Sequence, residues 1–123
     1  MVPLLLIVED NEFSRKMIAT ALNKRRYLFA KTGKEALEIY FSNRPNIVFL
    51  DILLPDMSGL ELLRIIKEKD SAAFIVMLSA NSEREIVVQS IRGGAKGFIV
   101  KPFSKAKIDE YINKYMQIHQ SNG

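Results

Sequence analysis

The sequence predicts an α/β fold, a five-stranded parallel sheet with helices on both faces. Three observations carry it. Short runs rich in branched apolar residues recur five times, amphipathic stretches with helical spacing lie between them, and hydroxyl-x-x-Glu patterns follow three of the strand candidates. The order is βαβαβαβαβα.

The first strand is Leu4–Val8, set within VPLLLIV. That stretch contains Pro3, lacks a basic lead and runs into Glu9-Asp10, so it is read as a strand and not as a signal peptide. Asn11 is placed to cap the next helix, whose apolar positions Phe13, Met17 and Ala21 predict core contacts. Lys24-Arg25-Arg26 reads as a solvated connection to a weaker strand, Tyr27–Ala30. Thr32-x-x-Glu35 has the capping-box spacing, in which the hydroxyl accepts from the third helical N–H and the Glu reaches back to the cap's own N–H. Leu37, Tyr40 and Phe41 give that helix its apolar face. The same logic gives the strand Ile47–Leu50, a box at Ser58-x-x-Glu61 and a helix carrying Leu62, Leu63 and Ile66. It then gives the strand Phe74–Leu78, a box at Ser82-x-x-Glu85 and a helix with Val87 and Ile91 that ends at Gly93-Gly94. Last come the strand Phe98–Val100, the cap Ser104 and a helix with Ile108, Ile112 and Tyr115. Unbroken apolar strands alternating with helices imply parallel pairing, right-handed crossovers and both faces covered.

A chain of 123 residues accommodates one such domain. The absence of Cys excludes disulfides, thiolate metal sites and cysteine nucleophiles. No apolar run approaches the roughly 20 residues that cross a bilayer, so no membrane partner and a cytoplasmic location are expected. The net charge of +4 is spread along the chain, and direct nucleic-acid binding is not expected.

In an open parallel sheet, ligands bind beyond the carboxyl ends of the strands. The first strand ends in Glu9-Asp10, the third in Asp51, the fourth in Ser79 and the fifth in Lys101-Pro102. One edge would then gather three carboxylates, a hydroxyl and an ammonium. Closely spaced carboxylates raise one another's pKa unless a cation compensates. Hard oxygen donors without His or Cys suit Mg²⁺, which takes one or two carboxylates, keeps several waters and recruits phosphate oxygens. A carboxylate in that setting can be a nucleophile that forms an aspartyl phosphate, with Lys101 neutralising charge and Ser79 bonding a phosphoryl oxygen. Asp51 stands alone at the end of a central strand, whereas Glu9 and Asp10 form the pair suited to a metal. Asp56 follows Pro55 in a loop and is assigned a turn role.

Val8-Glu9-Asp10-Asn11, Asp51 with Pro55-x-Met57-Ser58-Gly59, Ser79-Ala80 and Lys101-Pro102-Phe103 resemble, in order and spacing, the receiver domain of two-component response regulators (CheY-like). The resemblance runs from Leu4 to about Ile118, with a short polar C-terminal tail beyond. It implies a doubly wound, flavodoxin-like sheet of strand order 2-1-3-4-5. It implies Asp51 as phosphoacceptor from a histidine kinase or histidine phosphotransfer protein, and Asp10 as direct Mg²⁺ ligand, with Mn²⁺ as a substitute metal. Glu9 would act on the metal largely through water, the Leu53 carbonyl would complete the protein ligands, and Lys101 would pair with the phosphoryl group. It further implies a cis Lys101-Pro102 peptide, a switch pair of Ser79 and Phe98, and partner binding or homodimerisation through the fourth helix, fifth strand and fifth helix. Such a domain transfers and slowly loses its phosphoryl group without turning over a free substrate.

Some positions depart from the family pattern. Phe98 stands where many receivers carry Tyr, and Gly94–Phe98 lacks the acidic pair of winged-helix-type dimers. The connection from Asn23 to Tyr27 is short and lacks the customary Gly. Leu53 and Asn81 flank the site where the family tunes hydrolysis. His119, the one His, reads as a helix-end cation, so the donor His belongs to a partner. A Mg²⁺-dependent phosphohydrolase would want a second acid two residues after the nucleophile, where Leu53 stands. A phosphorylation-independent interaction module would be favoured by a missing acid or Lys, and all are present.

Overall fold

The computed structural model describes residues 2–120, so the end of the expected polar tail, 121–123, lies outside the described residues. The elements are β1 Leu4–Val8, α1 Glu12–Leu22, β2 Arg26–Ala30, α2 Gly33–Asn43, β3 Ile47–Asp51, α3 Gly59–Lys69, β4 Ile75–Ser79, α4 Arg84–Arg92, β5 Gly97–Val100 and α5 Lys105–Gln120. All strand pairs are parallel, in the order β2-β1-β3-β4-β5. Among the described residues no helix is long and apolar enough to cross a membrane.

Alternation along the strands sends side chains into two cores. Leu6, Val8, Val48, Leu50, Ile75 and Met77 meet Tyr40 of α2 and Leu62, Leu63 and Ile66 of α3. Leu5, Ile7, Ile47, Phe49, Val76 and Leu78 meet Ile18 and Leu22 of α1 and Ile108, Ile112 and Tyr115 of α5. Burial on both faces is why β1, β3 and β4 read as continuous apolar runs. Each fully buried Leu, Ile or Phe contributes about 1.5–3 kcal/mol relative to exposure.

Two helices are rotated from the sequence expectation. Phe13 is 72% exposed and Met17 is exposed, while Ile18 and Leu22 are buried. In α4, Ile91 is 51% exposed and Val87 only partly covered, while Ser90 is buried and Ile86 packs on the first core. Neighbouring residues point about 100° apart on a helix, so a one-residue change of row turns a core stripe outward. α1 carries apolar residues in two adjacent rows, and in α4 the Val87/Ile91 row neighbours a mixed one, Ile86/Ser90; in each the crossover geometry selects the row.

Helix starts follow the predicted caps with local corrections. Asn11 Oδ1 accepts from the Ser14 N–H (2.9 Å), Thr32 Oγ1 from Glu35 (3.0 Å) and Ser104 Oγ from Lys107 (3.2 Å). Glu35 takes the Lys31 N–H instead of that of Thr32, and Ser58 Oγ accepts from Leu60 instead of Glu61. Ser82 is not a cap: α4 begins after Glu83, which makes no side-chain capping bond, and Glu85 accepts from Gln89. Gly93 caps α4, and Gly94 takes the positive φ (102°) that turns the chain into β5.

The α1–β2 connection makes its turn without Gly by placing Asn23 and Lys24 at φ 31° and 42°. Arg25, expected in a solvated stretch, donates to Asp109 Oδ1 (3.0 Å), and Lys105 holds Oδ2 (2.6 Å). Lys105 and, against the opposing effect of burial, Arg25 keep the Asp109 carboxyl below its ordinary 3.8. The unfolded chain therefore takes up this proton at higher pH than the folded one. The stabilisation is present above the ordinary value and lost as pH falls through the lower folded-state value. Asp109→Asn should cost about 1 kcal/mol at neutral pH. In urea melts across an acid pH series the gap to wild type should close; a gap that stays constant would contradict the pairing.

Candidate phosphoacceptor site

The carboxyl edge of the sheet assembles the residues read from the strand ends. Val8 pairs with Leu50, so Glu9, just past β1, and Asp51, the last residue of β3, stand side by side. Asp51 is 6% exposed and Glu9 only 1%. Lys101 follows β5, two strands from β3, and its long side chain spans β4 to reach both acids. Its ammonium donates to Glu9 Oε2 (2.5 Å) and Asp51 Oδ2 (2.7 Å). The Lys101-Pro102 peptide is cis.

Burial and then the neighbouring Asp51 raise the Glu9 pKa, and Lys101 and the Asn11 N–H oppose them. Burial alone would favour a neutral Lys101, but Asp51 and Glu9 outweigh it and the ammonium is strengthened. Two desolvated carboxylates are thus tolerable because one cation is hydrogen-bonded to both.

The remaining oxygens are held by backbone. Asp51 Oδ1 accepts from the Leu53 N–H (3.1 Å) and Glu9 Oε1 from that of Asn11 (3.0 Å). Ser79 is buried, and its Oγ accepts from the Asn81 N–H (2.9 Å), which leaves its own proton available. Asp10 is exposed, and its carboxylate makes no hydrogen bond or ion pair among the described residues. Phe98 is partly buried against the first core. Leu53 turns its side chain to solvent, 79% exposed. His119 lies in the last turn of α5, stacked on Tyr115 with ring centroids 4.0 Å apart.

Among the described residues, no three Asp, Glu, His or Cys side chains are gathered as a ready metal set. Lys101 lies between Glu9 and Asp51 instead. The donor chemistry still fits a hydrated Mg²⁺: every candidate is a hard oxygen, Asp10 is free, and this ion keeps much of its water shell.

Asp56 is where sequence reasoning fell short. Its carboxylate does not merely shape a turn but accepts from the Gly33 N–H (2.8 Å) and the Lys34 N–H (3.0 Å), at the start of α2. No local pattern encodes a bond between a loop and a helix end more than twenty residues away.

The family model described as response regulator receiver domain matches residues 5–113. Chemotaxis protein CheY of Bacillus subtilis is 41% identical over 113 residues, covering 89% of this chain and 94% of that protein. Sporulation initiation phosphotransferase F of the same organism is 31% identical, covering 93% of this chain and 94% of its own length. Among solved structures, a CheY-like response regulator receiver domain protein from Methanospirillum hungatei superposes with a TM-score of 0.90 at 26% identity, with both chains fully covered. The matched span contains every residue of the acid–lysine edge, and the chain belongs to the response regulator receiver domain family.

Proposed function

We propose that Asp51 accepts a phosphoryl group from a phosphohistidine of a histidine kinase or histidine phosphotransfer protein. Receiver domains act as phosphoacceptors in two-component signalling and generally bind Mg²⁺. The observation that carries the assignment to Asp51 is Lys101, hydrogen-bonded to this buried acid and to Glu9 at the strand ends.

An Asp51 oxygen attacks phosphorus, the P–N bond to the donor imidazole breaks, and the imidazole leaves with the bond's electron pair. Lys101 exchanges its bond to the carboxylate for one to a phosphoryl oxygen and balances the charge there. Ser79 donates its free proton to a second phosphoryl oxygen. Asp51, Asp10 and the Leu53 carbonyl would hold Mg²⁺, with Glu9 acting on it largely through water, and the ion would supply positive charge to offset that on the transferring group. Water later hydrolyses the acyl phosphate slowly.

Phosphorylation adds roughly −1.5 to −2 charges, by analogy with other phosphoryl groups. Movement of Ser79 toward them frees space beside Phe98, whose ring turns and reshapes the α4–β5–α5 surface. Exposed Ile91 and Val100 give that surface apolar ground for an output partner or a second copy. Exposed Phe13 and Met17 on α1 do the same for the phosphodonor.

Incubation with acetyl phosphate, with and without Mg²⁺, tests the assignment. Wild type should be labelled only with Mg²⁺, and Asp51→Ala not at all. Label that survives in Asp51→Ala, or forms without Mg²⁺, would overturn it.

A further inference from the structure

We propose that Asp56 is a positioning residue that ties the Leu53 segment to the start of α2 and so holds the Leu53 backbone for Mg²⁺ binding. This rests on the reading of Asp51 and its metal given above.

The segment between β3 and α3 leaves the sheet directly after Asp51 and returns at Gly59. Its root is fixed by bonds within itself. The Leu53 N–H donates to Asp51 Oδ1, the Gly59 N–H to the Ile52 carbonyl (2.7 Å), and Leu53 bridges Ser58. Burial holds the outer part only in part: the Leu53 side chain, Pro55 and Asp56 are exposed, while Leu54 and Met57 pack, partly covered, against the first core. The polar anchor of the outer end is α2. Asp56 Oδ1 and Oδ2 take the Gly33 and Lys34 N–H groups, one oxygen each. Met57 lies against Gly33, its Sδ 2.5 Å from where a Cβ would stand, so the absence of a side chain there admits the loop.

The first N–H groups of a helix have no partner within it. In α2 they are divided between two acceptors: Thr32 takes that of Glu35, and Asp56, 22 to 23 residues away, takes the two before it. A negative charge is also favoured at this end of the helix dipole. The tether therefore acts at both ends, completing α2 and restraining the loop whose third residue back from Asp56 presents the Leu53 carbonyl. Groups that orient metal ligands from behind change affinity by about tenfold or more when removed.

The test is a Mg²⁺ titration followed by NMR of the Asp51 and Leu53 amides in wild type, Asp56→Ala and Asp56→Asn, with acetyl phosphate labelling across the same concentrations. Asp56→Ala should need about tenfold more Mg²⁺ for half-saturation. It should reach near wild-type labelling when Mg²⁺ saturates, and the Leu53 amide should exchange its hydrogen faster. Asp56→Asn keeps one acceptor oxygen and should fall between the two. A lowered melting temperature with unchanged half-saturation would mean a purely structural cap and would overturn the proposal. If Asp56→Ala does not fold, Mg²⁺ binding in Asp56→Asn indistinguishable from wild type overturns it equally. A wild type that binds no Mg²⁺, or is labelled elsewhere than Asp51, removes the underlying reading; a labelled wild type matched by both variants removes the tether alone.

Discussion

Lys101→Ala should slow phosphoryl transfer from acetyl phosphate by about 10²–10³, the usual effect of removing one preorganised charge-stabilising donor. It should also lower stability by about 3 kcal/mol, because its loss leaves two desolvated carboxylates facing each other. Glu9 and Asp51 are both buried, and Lys101 is hydrogen-bonded to each. The stability loss should be relieved by Mg²⁺, which supplies the missing positive charge. Urea melts with and without Mg²⁺ measure this directly, and Mg²⁺ should raise the midpoint of Lys101→Ala more than that of wild type. Equal Mg²⁺ effects in the two proteins would mean that the ion does not meet these carboxylates. Lys101→Arg should not restore the rate, since a planar fork cannot replace a compact ammonium between two oxygens.

Gly59→Ala should be the most damaging single-methyl change at this edge. A Cβ on Gly59 would stand 2.2 Å from the Asp51 carbonyl oxygen and 2.7 Å from Ile52 Cα, which are backbone atoms of the strand end and cannot rotate away. Either α3 or the end of β3 must move, at about 3 kcal/mol, or roughly 10–15 °C in melting temperature. Gly93→Ala is the matched control. Its Cβ meets chiefly Leu63 Cδ2 at 2.8 Å, the tip of a flexible side chain, and its φ of −72° suits any residue. Calorimetry of the pair should show a clearly larger loss at position 59. Equal losses would mean that the strand end yields as easily as a leucine tip.

Much of this molecule was legible because its chemistry is local. A buried strand between two helical layers is an unbroken apolar run, and the length of Ile47–Leu50 and Leu4–Val8, with their polar flanks, marks them as strands. The site residues Glu9, Asp51, Ser79 and Lys101 stand at or one residue past such runs, so their common edge followed from parallel topology. Rotation of α1 and α4 was not legible, since Phe13/Met17 and Ile18/Leu22 are both apolar rows and only the packed helix chooses between them. Nor was the use of Ser79 Oγ by the Asn81 N–H, or of Asp56 by α2: each depends on how a loop closes, which residue types alone do not specify.

The thin attachment of α4 has a mechanical meaning. Of its nine residues Ser90 alone is buried, held to Ile86 O of the same helix (2.8 Å), and its start has no side-chain cap. Such a segment sits at the compliant end of the molecule's stability range and opens before the strands do. It begins just beyond the Ser79–Asn81 turn and meets the first core through Ile86, so under the proposed switch a disturbance at the acid edge would reach this lightly held helix before the buried strands.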